Sequence, residues 1–330
     1  MESAQVTVLF AYLIWIDANT HYGPFLGWKL SGGIAILAHS TKTGNLMDWQ
    51  LSVLQWLQQF RHPVLDGFFQ FISFSAEETF YIAIAAWLLW CQNKRMAHQI
   101  GFAFLSSMVL NPTLKSVIAL ERPIGMDGID SLRTHTATGH SFPSGHTQGA
   151  ASFWTAIAIQ MKTRWFSLMC ASMIVLVALS RLYLGVHWPM DVLAGIGIGL
   201  LWVLFVNWFM AYAERTHRGL LWLLLLPFFW AYFAYPDNKD LVTVFGAALG
   251  FLAGMQLDLK VLNYQPGGRW WQKAVKFISG LAVLLLLKIG LKMLLPFNPH
   301  IADLIRYAII GFWLSFGAPW VFMKISTLRT

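Results

Sequence analysis

About nine stretches of this 330-residue sequence are apolar for long enough to cross a lipid bilayer as helices, and they limit the fold before any motif is considered. They centre on residues 77–92, 99–120, 145–161, 165–186, 189–213, 219–236, 241–257, 277–296 and 303–323. A spanning segment must satisfy its backbone hydrogen bonds within the protein, which leaves helices and closed barrels. Runs such as LLWLLLLPFF, residues 220–229, are apolar on every side, whereas a barrel strand facing a wet lumen alternates. The expected fold class is therefore all-α, a polytopic membrane helical bundle. Composition agrees, because 57% hydrophobic and 12% charged residues leave too little charge to cover a soluble surface.

The basic residues set the orientation. Lys94 and Arg95, Lys162 and Arg164, Arg215 and Arg218, the group Lys260, Arg269, Lys273 and Lys276, and finally Lys324 and Arg329 fall on one side of the membrane. The positive-inside rule makes that side cytoplasmic, with the C-terminus at Thr330. Lys239 lies in an outer loop, and Lys288, Lys292 and Arg306 lie near the outer ends of the last two spans, so the asymmetry is strong but incomplete. The net charge of +8 is thus a topology signal, and no nucleic-acid partner is expected. Cys91 and Cys170 lack metal-ligand spacing and read as small packing residues.

Residues 1–46 fit no span: their apolar pieces are short, DANTHYGP interrupts them, and no basic n-region marks a secretory signal. They are expected to be dispensable for catalysis, with Met47 an alternative start. From Met47, MDWQLSVLQWLQQFRHPVLDGFFQF has apolar residues at helical spacing and predicts an interfacial amphipathic helix leading into the first span. Glycines 246, 250 and 254, and again 195 and 199, predict close helix packing.

Against this background, polar residues gather in three clusters at helix ends. In KSVIALERP, Lys115 and Arg122 are seven positions apart. Seven residues are two helical turns, about 10.5 Å of rise, so on a continuous helix both side chains project from one face. Charges in a span are costly and default to functional readings, and two like charges together want an anion between them. In GHSFPSGHTQGA, His146 opens a span directly behind Pro143, Ser144 and Gly145. Such a helix start leaves backbone N–H groups free, Ser144 adds a hydroxyl, and Gly145 lets a ligand approach the backbone, which together suit an anion. In SRLYLGVHWPMD, His187 and Asp191 are four apart, the separation that stacks neighbouring side chains if HWPMD begins a helix, with Pro189 tolerated in its first turn. Asp191 would then fix which imidazole nitrogen faces a substrate, making His187 a candidate nucleophile. Alternating topology brings all three clusters to one outer face. Singly, each has a structural account: a snorkelling Lys115, a capping His146, a structural bond between His187 and Asp191. Jointly they point to a site.

These three motifs, KxxxxxxRP, PSGH and SRxxxxxHxxxD, resemble the signature of the type 2 phosphatidic acid phosphatase superfamily with no departure at a signature position, over roughly residues 47–213. The resemblance implies that residues 47–213 are a membrane phosphatase core and 214–330 additional C-terminal transmembrane helices. It implies that His187 attacks phosphorus to form a phosphohistidine, that Asp191 orients it, and that His146 protonates the leaving alcohol and later activates water. Lys115, Arg122, Arg181, Ser144 and the backbone of Gly145 would hold the phosphoryl oxygens. Fixed cations and N–H donors would meet the transition-state charge, so no metal or other cofactor is expected. The layout is also similar to glucose-6-phosphatase and sphingosine-phosphate phosphatases.

The expected activity is hydrolysis of a phosphomonoester or pyrophosphate of a lipid at the extracytoplasmic face, in a multi-pass protein of a plasma or bacterial inner membrane. The partner is the lipid phosphate itself. A sugar-phosphate phosphatase, a lipid phosphotransferase and a transporter of phosphate or anionic lipid stand as alternatives, although a transporter has no need of His paired with Asp opposite a second His. Of the remaining polar residues, His135 and His140 read as solvated, Glu77 and Glu78 as acids suited to a helix N-terminus, and Arg133 as neutral or as steering an anionic head group.

Overall fold

The computed structural model describes residues 42–295, 298–325 and 327–328, and every regular element among them is helical. The segment 1–41 and Thr330 lie outside the described residues. The chain opens with α1 (Lys42–Gln58) and α2 (Pro63–Phe74). The single interfacial helix expected from Met47 is therefore two helices. Pro63, which has no N–H to lose, takes the first turn of α2, and His62 caps it by accepting the Val64 N–H. After a bend of 52°, α2 passes into α3 (Glu78–Trp87), which a π turn extends to Gln92.

Four helices follow: α4 (Lys94–Ile118), α5 (Gly145–Met161), α6 (Arg164–Tyr183) and α7 (Pro189–Arg215). A 3-10 turn (Arg218–Leu224) leads into the short α8 (Leu226–Ala234). Then come α9 (Lys239–Leu257), extended by a π turn to Leu262, and α10 (Trp270–Leu294). The chain closes with α11 (Pro299–Phe312), a π turn and α12 (Ala318–Lys324).

By length and composition, five of these are candidate membrane spans among the described residues: 164–183, 189–215, 239–262, 270–294 and 299–324, with the bent pair α2–α3 a sixth. The shortfall from about nine has physical causes. The central α4 packs against α5, α7 and α9, and a face turned to protein need not be apolar. It carries Ser106, Ser107 and Asn111 buried, with Ser107 and Asn111 bonded to Gln148 and Ser152 of α5. The 219–236 stretch, with Pro227 near its middle, divides into the 3-10 turn and α8.

Glycines set two of the closest contacts. A Cβ on Gly195 would stand 2.9 Å from the Ser144 carbonyl oxygen, and one on Gly250 would stand 1.8 Å from that of Ala308, so α7 lies on α5 and α9 on α11 at distances only glycine permits. The basic end is tied by Lys94 to Asp258 at 3.0 Å and Arg95 to Glu214 at 2.9 Å. There Tyr264 donates its hydroxyl to the Trp90 carbonyl at 2.6 Å. The C-terminal end of α4, the N-terminal ends of α5 and α7 and the C-terminal end of α6 meet at the opposite end.

Candidate active site

Pro189 takes the first turn of α7, and the Asp191 carboxylate folds back on it. Oδ2 of Asp191 accepts the Trp188 N–H at 2.8 Å and the Ser141 hydroxyl at 2.5 Å, and it faces Nδ1 of His187 at 3.2 Å. His187 itself precedes the helix, whose N-cap is the extended Trp188, so the expected pairing forms because Asp191 folds back over the helix start and not because the two side chains stack on one helical face. With Nδ1 turned to a carboxylate, Nε2 is the nitrogen that looks away, and it lies 3.0 Å from Nη1 of Arg122. Burial first, then the Arg122 cation, hold the His187 pKa well below the usual histidine value, and because a guanidinium can only donate, Nε2 faces it as an acceptor.

The Asp191 carbonyl accepts the Ser144 N–H at 3.0 Å, which brings the start of α5 onto the start of α7. His146 follows in the first turn of α5, with Nε2 buried and without a hydrogen-bond partner among the described residues. Ser144 is fully buried, and its hydroxyl lies 3.0 Å from that of Thr147, so both its N–H and its side chain are engaged within the protein.

Arg122 departs from the expected geometry. It is not on the helix that carries Lys115: α4 ends at Ile118, Ala119 caps it in the left-handed region with φ 51°, and Arg122 stands in the following loop before Pro123. A residue before proline is disfavoured in helical conformation, which is one reason the two-turn spacing does not hold. Its guanidinium instead donates to the carbonyls of Gly139 (3.0 Å), Thr138 (2.7 Å), His140 (3.2 Å) and Val186 (2.9 Å). Burial lowers its pKa to about 10, which leaves it charged at neutral pH. Lys115, in the last turn of α4, reaches the Thr138 carbonyl at 3.4 Å.

Arg181 is fully buried at the end of α6. Nη1 donates to the Ser73 hydroxyl at 2.5 Å, while Nε and Nη2 have no partner among the described residues. It acts electrostatically on both histidines.

A cavity of about 310 Å³ opens here, lined among others by Lys115, Arg122, Gly145, His146 and His187. The five sequence-predicted residues in its wall are joined by Glu77, Glu78 and Asp240, whereas Asp191, Arg181 and Ser144 lie behind it. Glu77 pairs with Arg133, so Arg133 has a carboxylate partner rather than a free charge. His135 and His140 are exposed, as solvated loop residues should be.

Sequence reasoning missed Ser141, Ser73, Thr138 and Asp240. Ser141 lies in the quoted motif two residues before Pro143, so its hydroxyl was a visible signal; Ser73 and Asp240 come from distant helices and had none.

The family model described as the PAP2 superfamily matches residues 96–215, and the one described as the PAP2 superfamily phosphatase transmembrane extension matches 242–329. An undecaprenyl-diphosphatase of Sulfolobus acidocaldarius is 31% identical, over 43% of this chain and 69% of its own. The chain belongs to the PAP2 superfamily. Other PAP2 relatives include the lipid A 4'-phosphatase of Porphyromonas gingivalis, 28% identical over 51% of this chain and 76% of its own. The lipid phosphate phosphatase delta of Arabidopsis thaliana is 24% identical over 80% of this chain and 68% of its own. This PAP2 protein is a phosphatase embedded in a membrane.

The lowered His187 pKa gives a pH test. Because the folded value is below the unfolded one, the ring should still be mainly neutral at pH 6.5, the ordinary midpoint, and stability should fall as pH drops through 6.5. Nitrogen NMR of histidine-labelled protein, assigned with His187→Gln, should show a neutral His187 at pH 6.5. A half-protonated ring there would contradict the site's electrostatics.

Proposed function

We propose that the chain hydrolyses a phosphomonoester or pyrophosphate of a membrane lipid, through a phosphohistidine on His187. The observation that carries this reading is the polarity of His187: Nδ1 faces Asp191 and Nε2 faces the cations around the cavity. In the first step the Nε2 lone pair attacks phosphorus, the P–O bond to the leaving group breaks, and His146 gives that oxygen a proton. In the second, His146 takes a proton from water as the water oxygen attacks phosphorus, and the P–N bond breaks to return His187 and release phosphate. A phosphate dianion beside His146 supplies the negative charge that a protonated imidazole needs amid so many cations. Lys115 and the Gly145 N–H hold the phosphoryl oxygens together with the charge of Arg122, whose Nη1 faces the attacking nitrogen, and the charge of Arg181 behind the cavity wall, with Ser144 supporting the start of α5, so the chain's own charges meet the transition state without a metal.

Lipid substrates suit a cavity at helix ends, walled partly by α3 and α4. The relatives named for undecaprenyl diphosphate, lipid A and lipid phosphate point the same way. Phosphate release from phosphatidic acid, a polyprenyl diphosphate and glucose 6-phosphate, in detergent, tests the class. The lipids should turn over and the sugar phosphate should not. His187→Ala should lose at least about 10³ in rate, and His146→Ala about 10² to 10⁴. EDTA should leave activity in place. Preference for the sugar phosphate, or an EDTA block lifted by a divalent ion, would sink the reading.

We further propose nine crossings, with the site on the extracytoplasmic side. α7 ends at the basic end and α9 begins beside the cavity, so the 3-10 turn and α8 carry the chain back across; α4 and α5 join the two ends in the same way. Single cysteines in a Cys91→Ala, Cys170→Ala background test this, using Asp127 at the cavity end and Thr216 at the basic end, both exposed. An impermeant thiol reagent added to intact cells should label Asp127→Cys alone. Labelling of Thr216→Cys alone would invert the orientation.

A further inference from the structure

The cavity is not built by the signature segments alone. α9 starts with Asn238 as its cap and Asp240 in its first turn, between the two stretches that match the family models. Nδ2 of Asn238 donates to Ser116 Oγ at 2.8 Å and to the Pro112 carbonyl at 3.3 Å, pinning this turn to the part of α4 that carries Lys115. Asp240 lines the cavity, and its Oδ2 accepts the Thr138 hydroxyl at 3.0 Å. The Thr138 carbonyl in turn accepts from Nη2 of Arg122 at 2.7 Å and from Nζ of Lys115 at 3.4 Å. One loop residue therefore joins a carboxylate of α9 to both cations. An acid in the first turn also suits the helix dipole, but the dipole requires neither the bond to Thr138 nor a place in the cavity wall.

We infer that Asp240 is a positioning residue: acting through Thr138, it fixes the Lys115 and Arg122 head groups at the spacing that holds the phosphoryl group, so that α9 completes the active site. The inference rests on the reading of those two cations as phosphate-holding. Thr138 lies in an exposed loop, and Lys115 ends a flexible four-carbon stem. Charges placed before the reaction stabilise a transition state because they need not reorganise during it. A hydroxyl donating to a carboxylate is a charge-assisted bond, strong enough to hold such a loop. Asp240 also lies within electrostatic reach of both cations and partly balances their repulsion.

The test measures kcat, KM for phosphatidic acid, the vanadate inhibition constant and the melting temperature on the full chain in detergent. Asp240→Ala and Thr138→Val should each lower kcat/KM about tenfold and weaken vanadate about as much, with melting unchanged within about 2 °C. Their combination should be little worse than either alone, because both cut one link. Asp240→Asn, whose neutral amide oxygen still accepts the Thr138 hydroxyl but without the charge, should fall between wild type and Asp240→Ala. Should Asp240→Ala fail to fold, Thr138→Val carries the test. Wild-type kinetics and vanadate affinity in Asp240→Ala and Thr138→Val, or an effect confined to melting, would overturn the inference alone. A wild-type protein indifferent to vanadate would overturn the phosphate-site reading as well.

Discussion

Asp191 is the residue on which the site depends. Its Oδ2 accepts from Trp188 and Ser141 and faces His187, while its backbone carbonyl accepts from Ser144. A single residue at the start of α7 thus sets the imidazole's orientation and holds the first turn of α5, which carries His146. A fully buried carboxylate is costly unless hydrogen bonds surround it; here the contacts converge on Oδ2, while Oδ1 is buried without a partner among the described residues, so the cost is met in part. Gly195, one turn further along α7, lets the two helices approach closely enough for the Ser144 contact to form.

The cations are placed by a different device. Arg122 is gripped by four backbone carbonyls of two loops, which spend its donors on position and leave its charge beside Nε2 of His187. Arg181 is the reverse case, fully buried with one bond to Ser73 and two nitrogens unpartnered among the described residues. An unpartnered buried guanidinium is expensive, and an anion in contact with it would relieve that cost. The phosphoryl group is the anion the proposed chemistry brings.

Much of this was legible because short-range spacing fixes it. The glycine ladders in α7 and α9 follow from helix geometry alone, and His187 meets Asp191 because an acid in the first turn of α7 folds back over the residues just before it. The seven-residue spacing of Lys115 and Arg122 misled because periodicity presumes a continuous helix, and Ala119 in the left-handed region ends this one. The span count was harder still: α4 is surrounded by protein, so its polar residues say little about whether it crosses the membrane. Arg133, whose partner Glu77 is 56 positions away, and Ser73 beneath Arg181 depend on tertiary contacts that no local pattern announces. Ser144 matched the motif by type, yet its hydroxyl turns to Thr147, three residues further along at the start of α5.

The central claim is that phosphorus is bonded to His187 Nε2 during turnover. Trapping tests it most directly: a lipid phosphate labelled in its terminal phosphate is mixed with excess enzyme, quenched in base, where phosphohistidine survives, and the protein is digested and sequenced. The account predicts label on the peptide containing His187 in the wild type, more of it in His146→Ala when substrate carries a good leaving group, and none in His187→Ala. Label on another residue, or a turnover-competent enzyme that never becomes labelled, would contradict it.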